Sequence, residues 1–115
     1  MGATTLGLGL LLTSLGVPPW AGLYVADAGV NSFQPCGRSE VYWVSGTAPV
    51  VMALREYALK HKQTPYQAFY LQLEGELQPA PVKGDGAGYA GLLLPRHVMQ
   101  LSAQLPARCV RLPGD

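Results

Sequence analysis

Charged residues are scarce in this sequence, and they are unevenly placed. Only 13% of the 115 residues are Asp, Glu, Lys or Arg, the formal net charge is +1, and the first charged side chain is Asp27. A protein that binds nucleic acid usually carries a basic stripe, because counterion release from the phosphates supplies most of the non-specific affinity. The only basic patch here is Lys60-His61-Lys62. We therefore expect no binding to DNA or RNA.

Histidine is also rare, and this limits the catalytic chemistry open to the chain. Catalysis requires a nucleophile, a base and a group that orients the base, or a metal with an open coordination position. Neither His61 nor His97 is accompanied by a Ser or Cys motif. Glu74 and Glu76 have the spacing of a carboxylate pair on one strand face, but alternating acids are ordinary on an exposed strand. The sequence predicts no catalytic residues and no enzyme.

The potential ligands for a soft metal are few. His97 and Met99 would share one face of a strand, and imidazole and thioether groups suit copper. Two ligands are too few for a copper site, and the other candidates, Met52 and His61, lie elsewhere in the chain. Methionine also commonly fills irregular gaps in protein cores. We expect no metal site and no other cofactor.

No apolar run reaches the roughly 20 residues that a membrane-spanning helix needs. The longest run lies between Leu6 and Val17, contains no charge and ends at Pro18-Pro19. Its length of about 12 residues is typical of the apolar core of a signal peptide. No Lys or Arg precedes it, which is atypical of a signal peptide. We nevertheless expect an exported bacterial protein, periplasmic or secreted, without a transmembrane segment in its mature form.

Two points along the chain fit cleavage by signal peptidase, one after Ala21 and one after Ala28. The second has the better pattern of small residues. Cleavage there would remove much of a segment rich in strand-forming residues that we expect the fold to need. We therefore assign residues 1–21 to a signal peptide and residues 22–115 to the exported domain.

The chain has only two cysteines, Cys36 and Cys109, near opposite ends of the expected mature domain. In an oxidising compartment two such cysteines usually pair. A disulfide that closes a loop of about 70 residues lowers the conformational entropy of the unfolded chain, which stabilises the folded state by roughly 4 kcal/mol. A redox-active or sensing pair is the alternative, although the close Cys-x-x-Cys spacing that tunes thiol reactivity is absent. No cysteine stands at a cleavage point, so no lipid anchor is expected.

Hydrophobic periodicity predicts one helix among several strands. The helix begins at Thr47 or Ala48, has Pro49 in its first turn and ends before Pro65. The predicted strands cover residues 22–33 as one long strand bent at Gly29, then 40–44, 66–77, and 89–94 with 96–101, which are two strands or one interrupted at Pro95. A chain of this size can bury one modest core. Twisted strands with a single helix predict a small, partly open barrel.

Several sequence features occur in an order that allows comparison with a known family. They are residues 22–28 (Gly-Leu-Tyr-Val-Ala-Asp-Ala), Phe33, Cys36-Gly37, Val44 with Gly46, the helix containing Leu54 and Tyr57, residues 73–77 (Leu-Glu-Gly-Glu-Leu) and Cys109. Together they resemble the OB-like C-terminal domain of the bacterial envelope lipoprotein NlpE and related periplasmic domains. The resemblance implies a mostly β, five-stranded OB-like barrel, an envelope location and an intramolecular disulfide. It also implies links to surface stress sensing or copper tolerance.

The chain departs from full-length NlpE in two ways. It has no lipidation cysteine and no separate N-terminal domain with a Cys-x-x-Cys motif. Membrane anchoring and the copper role are therefore not carried over.

Aromatic side chains are the candidates for a binding surface, since barrels of this kind bind oligomers on one face. The candidates are Tyr42, Trp43, Tyr66, Phe69, Tyr70 and Tyr89, of which about half must lie in the core. Tyr66, Tyr70 and Tyr89 are predicted to be exposed, Tyr70 because its neighbours Phe69 and Leu71 point the other way. We expect a non-catalytic binding or accessory domain of the cell envelope, with a protein or an envelope polymer as partner. The alternative is a small exported inhibitor or a redox- or copper-related sensor.

Overall fold

The computed structural model describes residues 19–109, so the predictions for residues 1–18 and 110–115 lie outside it. The elements of this range are β1 (Pro19–Asp27), β2 (Val30–Pro35), β3 (Tyr42–Val44), α1 (Pro49–His61), β4 (Phe69–Gln78), β5 (Leu92–Ser102) and a short 3-10 helix (Ala107–Cys109). The strands close into a barrel in the order β1-β2-β3-β5-β4. Neighbouring strands are antiparallel except β3 and β5, which are parallel. This confirms the predicted mostly β, five-stranded barrel with one helix, although the barrel is closed and not partly open as predicted.

Residues 22–33 form two strands, so the prediction of one long bent strand is wrong. The chain reverses at Ala28-Gly29, and β1 pairs with β2 from Gly22 opposite Pro35 to Asp27 opposite Val30. Gly29 has a φ of 70°, a left-handed conformation that glycine adopts without steric cost. A bend and a tight hairpin call for the same residue types, so local composition did not distinguish them.

The helix follows its prediction closely. It starts at Pro49, where the missing N–H costs nothing because first-turn amides have no partner within the helix. Val51, Leu54 and Ala58 are its buried residues, and they lie on the face that the three- and four-residue spacing predicted. They pack against inward-pointing residues of the barrel to form the main core. The strand residues of this core are Tyr24, Ala26, Phe33, Val44, Phe69, Leu71, Leu73 and Leu93.

The two long strands, β4 and β5, are paired along their length but not in uniform register. The register shifts twice, between Gln72 and Leu73 and between Glu74 and Gly75. Pro95 lies opposite Gly75 at the second shift and does not interrupt β5, since bulges tolerate the missing N–H of proline. A Cβ on residue 75 would lie 2.8 Å from the carbonyl oxygen of Leu94. A side chain larger than that of glycine would therefore force the two strands apart.

A second, smaller cluster lies outside the barrel and buries the other face of β1. Its buried members are Leu23, Tyr70 and Cys109, and the partly buried residues packed against them are Ala21, Cys36 and Ala68. The disulfide between Cys36 and Cys109, with Cα atoms 4.3 Å apart, holds the C-terminal 3-10 helix in this cluster. The predicted disulfide is thus confirmed. Within residues 19–109 the helices are too short or too polar to cross a bilayer.

Candidate functional site

A concavity of about 460 Å³ lies where the loop between β4 and β5 folds back over β3. It is lined by Ser39, Val41, Ala87, Gly88, Tyr89 and Ala90. Tyr89 is one of the three tyrosines that the sequence analysis proposed for binding. The site combines an aromatic ring, a hydroxyl group and a stretch of small residues whose backbone lies close to the surface.

Glycines at alternate positions shape the loop. Gly84, Gly86 and Gly88 all have positive φ values, and the amides of Ala87 and Tyr89 donate hydrogen bonds to the carbonyls of Gly84 and Gly86, both at 3.1 Å. Gly86 makes the closest approach, because a Cβ there would lie 2.5 Å from the Leu92 side chain and 3.3 Å from the Trp43 side chain. The loop therefore follows two successive turns that bring Tyr89 against β3.

Backbone hydrogen bonds fix the floor of the concavity. The amide of Ala90 donates to the Val41 carbonyl, and the amide of Trp43 donates to the Gly91 carbonyl, each at 2.9 Å. The Tyr89 ring also packs edge-to-face on the Trp43 ring, with centroids 5.4 Å apart and an interplanar angle of 62°. These contacts hold Tyr89, which lies in the loop, against Trp43 of β3.

The two charged residues beside Ser39 pair with each other. Arg38 and Glu40 flank Ser39 in the sequence, and the Arg38 guanidinium lies 3.2 Å from a carboxylate oxygen of Glu40. The hydrogen bond from the backbone amide of Glu40 lowers the pKa of its carboxyl group, and the bond from Arg38 lowers it further. Both side chains are exposed, and neither lines the concavity. The lining itself carries no formal charge.

The structure separates the three tyrosines predicted to bind. Tyr66 is 46% exposed, as predicted, and its hydroxyl donates a 3.2 Å hydrogen bond to the Ala28 carbonyl at the turn between β1 and β2. The predicted exposure of Tyr70 is wrong, because its side chain is only 4% exposed in the outer cluster. Its hydroxyl accepts a hydrogen bond from Arg108 at 3.2 Å. Only Tyr89, which is half-buried, lines the concavity described above.

Strand alternation could not show that Tyr70 is buried, because the segment that covers it comes from nearly forty positions further along the chain. The sequence analysis also did not single out Ser39, Val41 and the glycines as site residues. One signal was available, namely glycine at every second position from 84 to 88. It indicates a tightly turned loop but not the strand on which the loop packs.

The histidine and glutamate side chains considered for metal binding or catalysis have different neighbours. His61 stacks on Tyr57, with ring centroids 4.2 Å apart, while His97 lies opposite Glu74 in the β4–β5 pair. Glu76 forms an ion pair with Arg96. Within the described part of the chain, no three His, Cys, Asp or Glu side chains are grouped closely enough to hold a metal ion.

Two further concavities involve α1. One, of about 550 Å³, lies along the outer face of the helix. It is lined by Met52, Arg55, Glu56, Leu59 and Lys60. Another of about 330 Å³ lies between the helix and Val98 and Leu101 of β5, with only apolar side chains in its lining. Neither is lined by Tyr66, Tyr70 or Tyr89, the residues predicted to bind.

No protein-family model, no curated protein and no solved structure matches this chain. The likeness to the NlpE C-terminal domain therefore stays a prediction. The case for a function rests on the residues described above.

Proposed function

We propose that this chain is a non-catalytic, exported binding domain of the bacterial cell envelope that contacts an envelope polymer at Tyr89. The concavity beside the Trp43–Tyr89 pair is the observation that carries the proposal. The disulfide supports export, because such bonds persist in oxidising compartments and are rare in the cytosol.

The size of the concavity fits one or two repeat units of a chain molecule. Its volume of about 460 Å³ falls in the range of roughly 300 to 1,000 Å³ that is usual for small-ligand sites. The rest of a bound polymer would extend into solvent.

The surroundings of the disulfide favour a structural role over the alternative of a redox sensor. Cys109 is fully buried, and it packs with Leu23 and Tyr70 in the outer cluster. A sensing thiol is typically accessible. The bond therefore fixes the C-terminal 3-10 helix in the outer cluster, and the binding surface lies on other residues.

Co-sedimentation with insoluble cell-envelope polymer tests the proposal. We expect the wild-type domain to sediment with the polymer, and we expect Tyr89→Ala to weaken binding about tenfold through loss of the ring. Tyr66→Ala is the matched control, since Tyr66 is an exposed tyrosine outside the concavity, and it should bind as the wild type does. The proposal is wrong if the wild type stays in solution or if Tyr89→Ala sediments equally well.

A further inference from the structure

We infer that the unit recognised at the Tyr89 concavity is a neutral sugar ring. This inference rests on the proposed function and adds the chemical class of the ligand. It follows from the ring, the hydrogen-bonding groups, the charge and the backbone pairing around the site.

An aromatic ring held beside polar groups suits a sugar. The face of an aromatic ring carries negative charge density, and the C–H bonds on one side of a sugar ring carry the complementary partial positive charge. Tyr89 presents such a ring in the lining, and its contact with Trp43 fixes the orientation. A sugar could therefore pack against Tyr89 without displacing the loop.

The polar groups of the lining match hydroxyl groups. Ser39 contributes a hydroxyl that both donates and accepts hydrogen bonds. The backbone of residues 87–90 carries only small side chains apart from Tyr89, so its peptide groups are close to a bound ligand. The amides of Ala87, Tyr89 and Ala90 already donate within the protein, so the backbone would contribute mainly its carbonyl oxygens as acceptors for sugar hydroxyls, and Ser39 would contribute both a donor and an acceptor.

The charge around the site argues against ionic polymers. Arg38 and Glu40 pair with each other beside Ser39, and the loop that supplies residues 87–90 carries one charge of each sign before them, Lys83 and Asp85. A phosphate- or sulfate-bearing polymer would need unpaired cations for affinity. The site offers no such cation in its lining.

The backbone of β3 argues against a peptide bound as an added strand. On one side Trp43 pairs with Ser32 of β2, and on the other its amide donates to the Gly91 carbonyl. Val41 accepts the hydrogen bond of Ala90 in the same way. Recognition by strand addition needs an unpaired edge, and β3 has neighbours on both sides at this point.

Fluorescence of Trp43 provides the test. The chain contains two tryptophans, Trp20 and Trp43, so Trp20→Phe leaves Trp43 as the single reporter beside the site. We expect chitin oligosaccharides or cello-oligosaccharides to change its emission saturably. The Kd should change less than about twofold over a tenfold range of salt, because no ion pair forms. Adding Tyr89→Ala should raise the Kd about tenfold, and adding Tyr66→Ala should leave it unchanged.

Calorimetric titration of the wild-type domain with the same sugars covers the case in which Trp20→Phe does not fold. Dextran sulfate, polyphosphate and an uncharged peptide are the comparison ligands. If only these ligands bind, and their binding depends on Tyr89, the sugar assignment is wrong but the proposed binding function is retained. Sugar binding with the same Kd in Tyr89→Ala as in the wild type would overturn the site. Failure of every soluble ligand and of the insoluble envelope polymer would overturn both proposals.

Discussion

The ammonium group of Lys62 lies 2.8 Å from a carboxylate oxygen of Asp27, and this ion pair joins the residue after α1 to the end of β1. The same carboxylate accepts hydrogen bonds from the amides of Tyr66 and Ala28, each at 2.8 Å. Tyr66 is the one non-glycine residue with positive φ in the described range, at 57°. Asp27 therefore fixes a backbone conformation that is costly for a tyrosine.

Stability in acid should depend on Asp27. The hydrogen bond from Lys62, followed by those from the two amides, lowers the pKa of Asp27 to about 2, whereas an unfolded aspartate titrates near about 3.9. The folded state thus holds the charged form more firmly, and the stabilisation is present above about pH 4 and lost as the pH falls towards 2. We expect Asp27→Asn to be less stable at neutral pH and to lose less stability on acidification. Urea unfolding at a series of pH values measures both effects.

Glu76→Gln is the control for Asp27, because Glu76 also pairs with a cation but at an exposed position. Exposed ion pairs contribute about 0 to 1 kcal/mol, so this variant should unfold close to the wild type at neutral pH. An acid transition that is the same in Asp27→Asn and wild type would contradict the role given to Asp27.

Removing the disulfide should destabilise the domain by about 2 to 5 kcal/mol. The bond spans 73 positions, and it lowers the conformational entropy of the unfolded chain. We expect the variant with both Cys36→Ala and Cys109→Ala to melt well below the wild type. Reductant should lower the melting temperature of the wild type and leave the double variant unchanged. Equal melting temperatures for oxidised and reduced wild type would contradict the structural role.

Tyr24 should make the barrel sensitive to alkali. Its hydroxyl is fully buried and donates a 2.6 Å hydrogen bond to the side-chain oxygen of Asn31. Burial raises the pKa of Tyr24 well above its usual range, with a smaller opposing effect of Arg55. Unfolded tyrosine ionises near about pH 10. The stabilisation is therefore full below that pH and falls as the pH rises above it.

We expect Tyr24→Phe to cost about 1 to 3 kcal/mol at neutral pH, since the Asn31 oxygen loses its buried donor. The variant should also show a flatter loss of stability above about pH 10. Unfolding by urea on both sides of that pH provides the measurement. Tyr66→Phe serves as the comparison, because its hydroxyl is exposed and its hydrogen bond to Ala28 is longer. Matching alkaline profiles for the two variants would refute the prediction.

The predicted signal cleavage after Ala21 falls inside β1, which begins at Pro19. The Trp20 indole donates a 3.2 Å hydrogen bond to the Gly75 carbonyl, and the Ala21 carbonyl accepts one from Cys36 at 2.9 Å. Mass spectrometry of exported protein would locate the mature N-terminus. A chain that starts at Pro19 should be more stable than one that starts at Gly22.

Cleavage after Ala28 would remove all of β1, and with it the pairing to both β2 and β4. We expect a chain that starts at Gly29 not to fold. A cooperative melt of that chain would show that β1 is dispensable and would remove the argument against the later cleavage point.

Local sequence patterns predicted the parts of the fold that depend on near neighbours in the chain. Proline at a helix start and apolar spacing located α1. Alternation placed Phe69, Leu71, Leu73 and Leu77 on one face of β4, and the first three are fully buried while Leu77 is exposed. The same patterns put the start of β4 three residues too early, at Tyr66. There the contact with Asp27, which is 39 positions away, imposes a turn.

The binding surface was only partly predictable, because it depends on packing between distant segments. Tyr89 was proposed from its residue type, but its orientation depends on Trp43, which is 46 positions earlier. The approach of the loop to β3 depends on the missing side chain of Gly86. Neither relationship leaves a periodic signal in the sequence.

The disulfide also divides the barrel into two covalent parts. β3, α1, β4 and β5 lie within the ring of chain that it closes, whereas β1 and β2 lie before it. The longest loop of that ring, between β4 and β5, exposes Val82 and the neighbouring Lys83 to solvent. A protease that cuts this loop would leave the two fragments joined through Cys36 and Cys109. The nicked protein would still migrate as one species until it is reduced, so the bond gives the domain tolerance to cleavage in this loop.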